Sequence, residues 1–306
     1  MSKVTDCVAD EQHRAQVEEL DGGRWAAKVL VWDGSGLPPD GIEQTEVLLT
    51  PYRLEPMNPA ELAAMPALDV VQLMSAGFET WEHVVPADVA LCAGRGLHGS
   101  STAEVAVAGI LTLLHQHPTL LRQQWDGIWQ AQHRSSLEGS AAFVIGPGDI
   151  GRKIATVLEV FGATVTLVGR RAAAAVVAFE KLSELLAYQD VIVLAAPLTE
   201  ATRGLVDAEF LAKLGDGAIV VNISRGPVID TDALADALGG ARIRAVLDVT
   251  DPELLPAGHR LWSLPGQILT PHVRGASDGW DRRADELLIR QLERRATGQP
   301  LLYRVH

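Results

Sequence analysis

The chain has 306 residues, enough for two domains with separate cores, and its 47% hydrophobic and 21% charged residues are ordinary for a globular protein. A formal net charge of −13 argues against a general binder of nucleic acid or anionic membrane, which would need lysine and arginine to neutralise phosphates. A small anionic ligand in a locally positive pocket stays open. With only Cys7 and Cys92, neither a disulfide framework nor a cysteine-based metal site is readable. The polar start MSKVTDCVADEQHR lacks the apolar segment of a signal peptide. The longest strongly apolar stretch, Val105 to Leu114, is far shorter than the roughly 20 residues a bilayer span needs. A soluble cytoplasmic protein is the expectation.

Residues 1–25 carry many charges and a Gly-Gly pair, and are expected to form a loosely held extension. From Lys28 the pattern changes. KVLVW (28–32), EVLLT (46–50), VVQL (70–73) and VALC (89–92) read as strands, with PAELAAM (59–65) a helix among them. SSTAEVAVAGILTLLHQ, from residue 100, offers a Ser or Thr N-cap and then a long apolar helix. A second helix near 118–131 would put Trp125 and Trp129 on one face, either packed inside the monomer or at a subunit interface.

A second set of strands follows: AAFVIG (141–146), TVTLV (164–168), DVIVLAA (190–196), AIVVNI (218–223), IRAVLDV (243–249) and QILT (267–270). Helices are predicted over 150–161, 180–188, 207–214, 231–239 and, last, 277–297, which stops at Gly298 before Pro300. The fold class is α/β, with two doubly wound, Rossmann-like domains on parallel sheets.

The first strand of the second set ends in Gly146-Pro147-Gly148-Asp149-Ile150-Gly151. A lone G-x-G-x-x-G is a weak signal, but here it follows a strand and opens a helix. Gly146 would allow the tight turn, Gly148 the approach of a pyrophosphate, and Gly151 close packing of helix on strand, with the helix N-terminus facing the phosphates. NAD-binding folds place an acidic residue about 20 positions on, at the ribose 2′-hydroxyl. Here Arg170 stands 19 residues after Gly151, beside Arg171 and following Gly169, with no carboxylate alongside. A guanidinium pairs with a 2′-phosphate where a carboxylate would repel it, so the pattern indicates NADP(H), with NAD(H) possible. The alternative is a solvated arginine pair.

Ligands of open α/β sheets sit outside the carboxyl ends of the strands. Three later strands end there in chemically capable groups. Arg225 follows AIVVNI, Asp248 is next to last in IRAVLDV with Glu253 five residues on, and Pro271-His272 follows QILT. In a hydride transfer Arg225 would clamp a substrate carboxylate and polarise the neighbouring ketone. His272 would supply the proton, and a hydrogen bond from its ring N–H to Glu253 would favour its imidazolium form. Each residue also has a structural reading, as a surface arginine, a solvated acid and a strand-end histidine bonded to backbone.

With these residues assembled, the chain from about Lys28 to Val305 resembles the D-isomer-specific 2-hydroxyacid dehydrogenase family. The blocks that carry the resemblance are SAGF (75–78), STAE (101–104), GPGDIG (146–151), APLTEATRGLVD (196–207), NISRGPVID (222–230), LDVTDPE (247–253) and TPHVRGAS (270–277). The resemblance implies a dinucleotide-binding domain over 102–274 and a discontinuous substrate-binding domain over 1–101 and 275–306. It implies Arg225, Glu253 and His272 as catalytic residues, with Ser75, Ala76 and Gly77 joining Arg225 and His272 in holding the substrate. Pro197, the Thr202-Arg203 pair, Ile223, Thr102 and Asp248 would join the glycine loop at the cofactor, Asp248 at the nicotinamide carboxamide. The Gly169-Arg170-Arg171 run is similar to that of NADPH-preferring glyoxylate and hydroxypyruvate reductases, and homodimers paired through the nucleotide domains are usual in the family.

Some positions depart from the pattern. Gly94 stands where asparagine is common, Leu254 where proline is common, and Arg274 where a small residue is typical. Arg274 either points away or adds positive charge at the active-site mouth, favouring a doubly anionic substrate. The reading is an NADP(H)-dependent reductase of small 2-keto acids (glyoxylate, hydroxypyruvate or pyruvate), giving D-2-hydroxy acids. Its alternatives are a 3-phosphoglycerate dehydrogenase-like biosynthetic enzyme and a non-catalytic dinucleotide-sensing protein, with a methyltransferase on a similar sheet more remote. No metal, nucleic acid or membrane is expected as a partner.

Overall fold

The computed structural model describes residues 4–52, 56–275 and 277–306. Its first element is a strand where the sequence suggested a loose extension. β1 (Val4–Val8) is followed by α1 (Glu11–Asp21), which Asp10 caps by accepting from the His13 N–H at 2.9 Å. β1 lies inside a parallel sheet, between β2 (Ala26–Val31) and β3 (Val47–Leu49). Val4, Cys7, Val8 and Val17 are all buried, so apolar burial holds down a segment whose charges had suggested otherwise.

α2 (Pro59–Ala63) opens on a capping box between Asn58 and Glu61. With β4 (Val70–Gln72) and β5 (Ala90–Cys92), the sheet order is β2-β1-β3-β4-β5, every pair parallel. The end of the chain adds to β5: Val305 N–H donates to Leu91 at 2.7 Å and Ala93 N–H to Tyr303 at 3.0 Å.

α3 (Gly99–Leu114) is the long apolar helix expected after residue 100. α4 (His117–Trp125) is shorter than predicted. Gly127, at φ 67°, ends it, and Ile128 N–H returns to the Gln123 carbonyl at 2.8 Å. Trp129 therefore lies outside the helix, and Trp125 and Trp129 do not share a helical face. At 78% and 103% exposure neither packs inside the monomer.

The second sheet holds β6 (Ala141–Ile145), then after α5 (Asp149–Val160) come β7 (Thr164–Gly169) and β8 (Val176–Ala178). The helix predicted over 180–188 is broken into α6 (Leu182–Leu185) between two 3-10 turns. β9 (Val191–Leu194), α7 (Ala208–Lys213), β10 (Ile219–Asn222), α8 (Thr231–Gly239), β11 (Arg244–Leu247) and β12 (Gln267–Leu269) complete it. The order is β12-β11-β10-β9-β6-β7-β8, all parallel. The chain runs outward from β6 to β8, returns to β9 and runs out the other way. The switch point of this doubly wound sheet therefore lies between β6 and β9.

α9 (Trp280–Thr297) rejoins the first sheet, packing on α1. A hydrogen bond of 2.8 Å between His13 Nδ1 and Asp285 joins the two helices. The chain thus divides into two units, Met1–His98 with Ser277–His306, and Gly99–Ala276. Among the described residues no helix is long and apolar enough to cross a membrane, and no group of three or more His, Cys, Asp or Glu could hold a metal ion.

Candidate active site

The glycine loop leaves β6 at the switch point. Gly146 has φ 111°, and a Cβ there would lie 2.6 Å from the backbone of Ala195, just past β9, so no other residue fits the turn. Gly151 is buried on the inner side of the loop, with Ile150 partly covered. Gly148 is exposed, and a Cβ on it would meet nothing within 4 Å. It is the N-cap of α5 and supplies no side-chain cap, while Asp149 turns to Lys153 at 3.1 Å. The loop thus presents helix-terminal N–H groups beside open space, the requirement for binding phosphate.

β7 ends against this loop. A Cβ on Gly169 would lie 3.0 Å from the Pro147 ring, so the residues after it leave the sheet next to the glycine turn. Those residues are Arg170 and Arg171, both exposed. Among the described residues neither side chain forms a hydrogen bond or ion pair.

Beyond β9, Pro197 is exposed and its carbonyl accepts the Thr202 hydroxyl at 2.7 Å. Thr202 is buried and also receives the Thr199 N–H at 2.8 Å, so it closes this loop rather than facing outward. Arg203 is exposed and lines an open groove of about 440 Å³ with Asp230, Asp232, Asp251 and His259. That groove includes neither the glycine loop nor Arg225, Glu253 or His272. Ile223 is buried under β10.

The loops after β10, β11 and β12 meet closely. Gly226 sits where a Cβ would overlap the Thr250 carbonyl, so only glycine lets the loop after β10 touch the loop after β11. Arg225 is half-buried there, one guanidinium nitrogen donating to the Ser224 carbonyl at 2.9 Å, and Asn222 donates to the Arg225 carbonyl at 3.0 Å.

His272 adopts φ 53°, unusual for a residue with a side chain. Its N–H donates to the carbonyls of Asp248 and Thr270, each at 3.0 Å, which holds the ring at the end of β12. His272 Nδ1 lies 2.5 Å from Glu253 Oε1. This hydrogen bond holds the Glu253 carboxyl below the ordinary carboxylate range, and the charges of His272, Arg274 and Arg225 add to it against partial desolvation. An ionised Glu253 fixes Nδ1 as the donor and leaves Nε2 outside this bond. Arginine, carboxylate and histidine thus form one electrostatic group.

Asp248, expected at the cofactor, is held by hydrogen bonds within the protein. It is fully buried; Oδ1 accepts from Thr270 Oγ1 at 2.6 Å and Val273 N–H at 2.9 Å, and Oδ2 from Arg274 N–H at 3.2 Å and Nη1 at 3.0 Å. Thr102 is likewise buried, its hydroxyl directed to the Arg274 carbonyl at 3.5 Å. Arg274 points inward on Asp248 instead of standing in the mouth of the site.

In the other unit, the Ser75, Ala76 and Gly77 loop follows β4, with Ser75 Oγ donating to the Gly77 carbonyl at 2.7 Å. Gly94 N–H donates to the Ser75 carbonyl at 2.7 Å, and a Cβ at Gly94 would lie 2.6 Å from the Leu73 carbonyl, so a larger residue does not fit this backbone. His98 is nearly buried, its Nε2 2.8 Å from the Met74 carbonyl, and packs against Tyr52 and Trp280.

Comparison with known proteins places these features. Residues 107–274 match the family model described as D-isomer specific 2-hydroxyacid dehydrogenase, NAD binding domain. A glyoxylate reductase/hydroxypyruvate reductase of Homo sapiens is 35% identical over 213 residues, 66% of this chain and 65% of that protein. The crystal structure of a D-isomer specific 2-hydroxyacid dehydrogenase family protein from Aeromonas salmonicida superposes with a TM-score of 0.85 at 27% identity, covering 100% of this chain and 99% of that one. A second, from Xanthobacter autotrophicus in complex with NADPH and MES, superposes at 0.83 and 27% identity, covering 100% and 98%. The glycine loop at the switch point, the matched nucleotide domain and these relatives together place the chain in the D-isomer specific 2-hydroxyacid dehydrogenase family of NAD(P)-binding oxidoreductases.

Proposed function

We propose that the protein is an NADP(H)-dependent reductase of small 2-keto acids of the glyoxylate, hydroxypyruvate or pyruvate type, forming D-2-hydroxy acids. The Glu253–His272 pair held in the field of Arg225 carries this reading. In it, unit Gly99–Ala276 binds the dinucleotide, and the other unit contributes to substrate binding through Ser75, Ala76 and Gly77.

The residues present fit a dinucleotide phosphate. Gly146, Gly148, Asp149, Ile150 and Gly151 would hold the pyrophosphate at the start of α5, and Gly169-Arg170-Arg171 the 2′-phosphate. Two exposed arginines beside a phosphate-binding loop, in a chain of charge −13, support NADP(H) over NAD(H). The NADPH in the Xanthobacter structure lends the same support. Pro197 and Ile223 would border the bound cofactor, which supplies the hydride.

The chain's own residues do the rest. Arg225 pairs with the substrate carboxylate and polarises the adjacent carbonyl. His272 gives its Nε2 proton to the carbonyl oxygen as that oxygen gains charge. Glu253 keeps the imidazole oriented and balances its positive charge. The exposed Trp125, Ile128 and Trp129 support a homodimer paired through this unit, since exposed apolar groups of this size mark interaction surfaces. The test is His272→Ala: loss of keto-acid reduction with NADPH fluorescence titration unchanged supports an enzyme. Full turnover in the variant removes His272 as the acid.

A further inference from the structure

We propose that Arg274 is a positioning residue that fixes both Arg225 and His272 through one buried ion pair, a role that rests on the reductase reading above. Arg274 is 7% exposed and Asp248 0%. Arg274 Nη1 lies 3.0 Å from Asp248 Oδ2, and Nη2 donates to the Ser224 carbonyl, also at 3.0 Å. That carbonyl also accepts from the guanidinium of Arg225 at 2.9 Å. Asp248 in turn receives the Val273 N–H on its carboxylate and the His272 N–H on its carbonyl. The Arg274 carbonyl accepts the Ser101 hydroxyl at 2.5 Å, at the start of α3.

The Arg274 side chain therefore joins the loops after β10 and β12 to the end of β11, and its backbone carbonyl ties them to the start of α3. The fork geometry matters. A guanidinium reaches a carboxylate and a carbonyl at once, whereas an ammonium is a point charge. His272 needs such an anchor because its φ of 53° persists only where its surroundings enforce it. Arg225 needs it because its guanidinium and that of Arg274 share the Ser224 oxygen and so keep a fixed spacing.

Arg274→Met alone strands the buried Asp248 charge and endangers the fold. The test therefore pairs Arg274→Met with Asp248→Asn in one chain, and adds Arg274→Lys. Crystal structures of the parent and the double variant give the His272 and Arg225 positions, and steady-state rates with NADPH and glyoxylate give kcat and KM. The proposal expects the double variant to fold, the His272 ring to leave Glu253 by about 1 Å or more, and kcat to fall on the order of 100-fold with the KM for NADPH little changed. Arg274→Lys should recover only part of kcat. A folded double variant with both side chains in their parental places overturns the proposal. If the side chains move but the parent itself reduces no keto acid, the positioning role stands and the reductase reading fails.

Discussion

His272 Nδ1 meets Glu253 Oε1 at 2.5 Å, although 19 residues and two different loops separate them. Glu253→Gln keeps the shape and removes the charge. It should lower kcat on the order of 100-fold while leaving NADPH affinity unchanged. The Glu253 carboxyl, held below its ordinary value of 4.5, stays ionised until the pH falls through that lowered value. The acid limb of kcat in the parent should accordingly lie below about pH 4.5, and Arg274→Lys, which keeps the cation, should leave that limb in place. A limb above pH 5 in the parent would show that another group controls it.

Arg170 and Arg171 stand beside the glycine loop without a carboxylate partner among the described residues. Replacing both with serine should raise the KM for NADPH by roughly 10- to 100-fold, as expected for losing charge-assisted hydrogen bonds of about 1.5–3 kcal/mol. The KM for NADH should hardly move. Equal losses with both cofactors would mean that the arginines do not meet a 2′-phosphate.

Much of this site is legible in the sequence because it is local. GPGDIG is one continuous turn between a strand and a helix, and His272 and Arg225 each lie just past an apolar strand. Longer-range features are not legible. The bond from Arg274 to Asp248 spans 26 residues and exists only because β11 and β12 are neighbours. β1 was hidden because Thr5 and Asp6 break its apolar run, and α1 because few of its buried positions are apolar. Its His13 is instead buried by pairing with Asp285 on α9. The early end of α4 did have a signal in Gly127, outweighed by the four-residue spacing of the tryptophans.

Asp6 is fully buried on β1, and neither carboxyl oxygen has a partner among the described residues. Burial pushes its pKa up to about 8, with Asp21, Glu18 and Asp285 adding repulsion. The folded state thus keeps a proton that the unfolded chain releases near 3.8. Stability from this group is full below about pH 3.8 and is lost as the pH rises through about 8. Asp6→Val should flatten that slope and raise stability at pH 8 by on the order of 1–3 kcal/mol. Urea denaturation at several pH values measures both; a destabilised variant with the slope intact would contradict this assignment.

Trp125 is 78% exposed and Trp129 fully exposed. Sedimentation velocity should show a dimer for the parent and a monomer for Trp125→Ser combined with Trp129→Ser. A dimer that survives both changes would place the interface elsewhere.

The most direct test of the central claim is the initial rate of NADPH oxidation, compared with NADH, against glyoxylate, hydroxypyruvate, pyruvate and bulkier 2-keto acids. Turnover of at least one small 2-keto acid, with kcat/KM about 10-fold or more higher for NADPH, is the predicted result, from the arginine pair. A clear preference for NADH would contradict the cofactor assignment. Tight NADPH binding with no turnover of any of these acids would contradict the reductase reading itself.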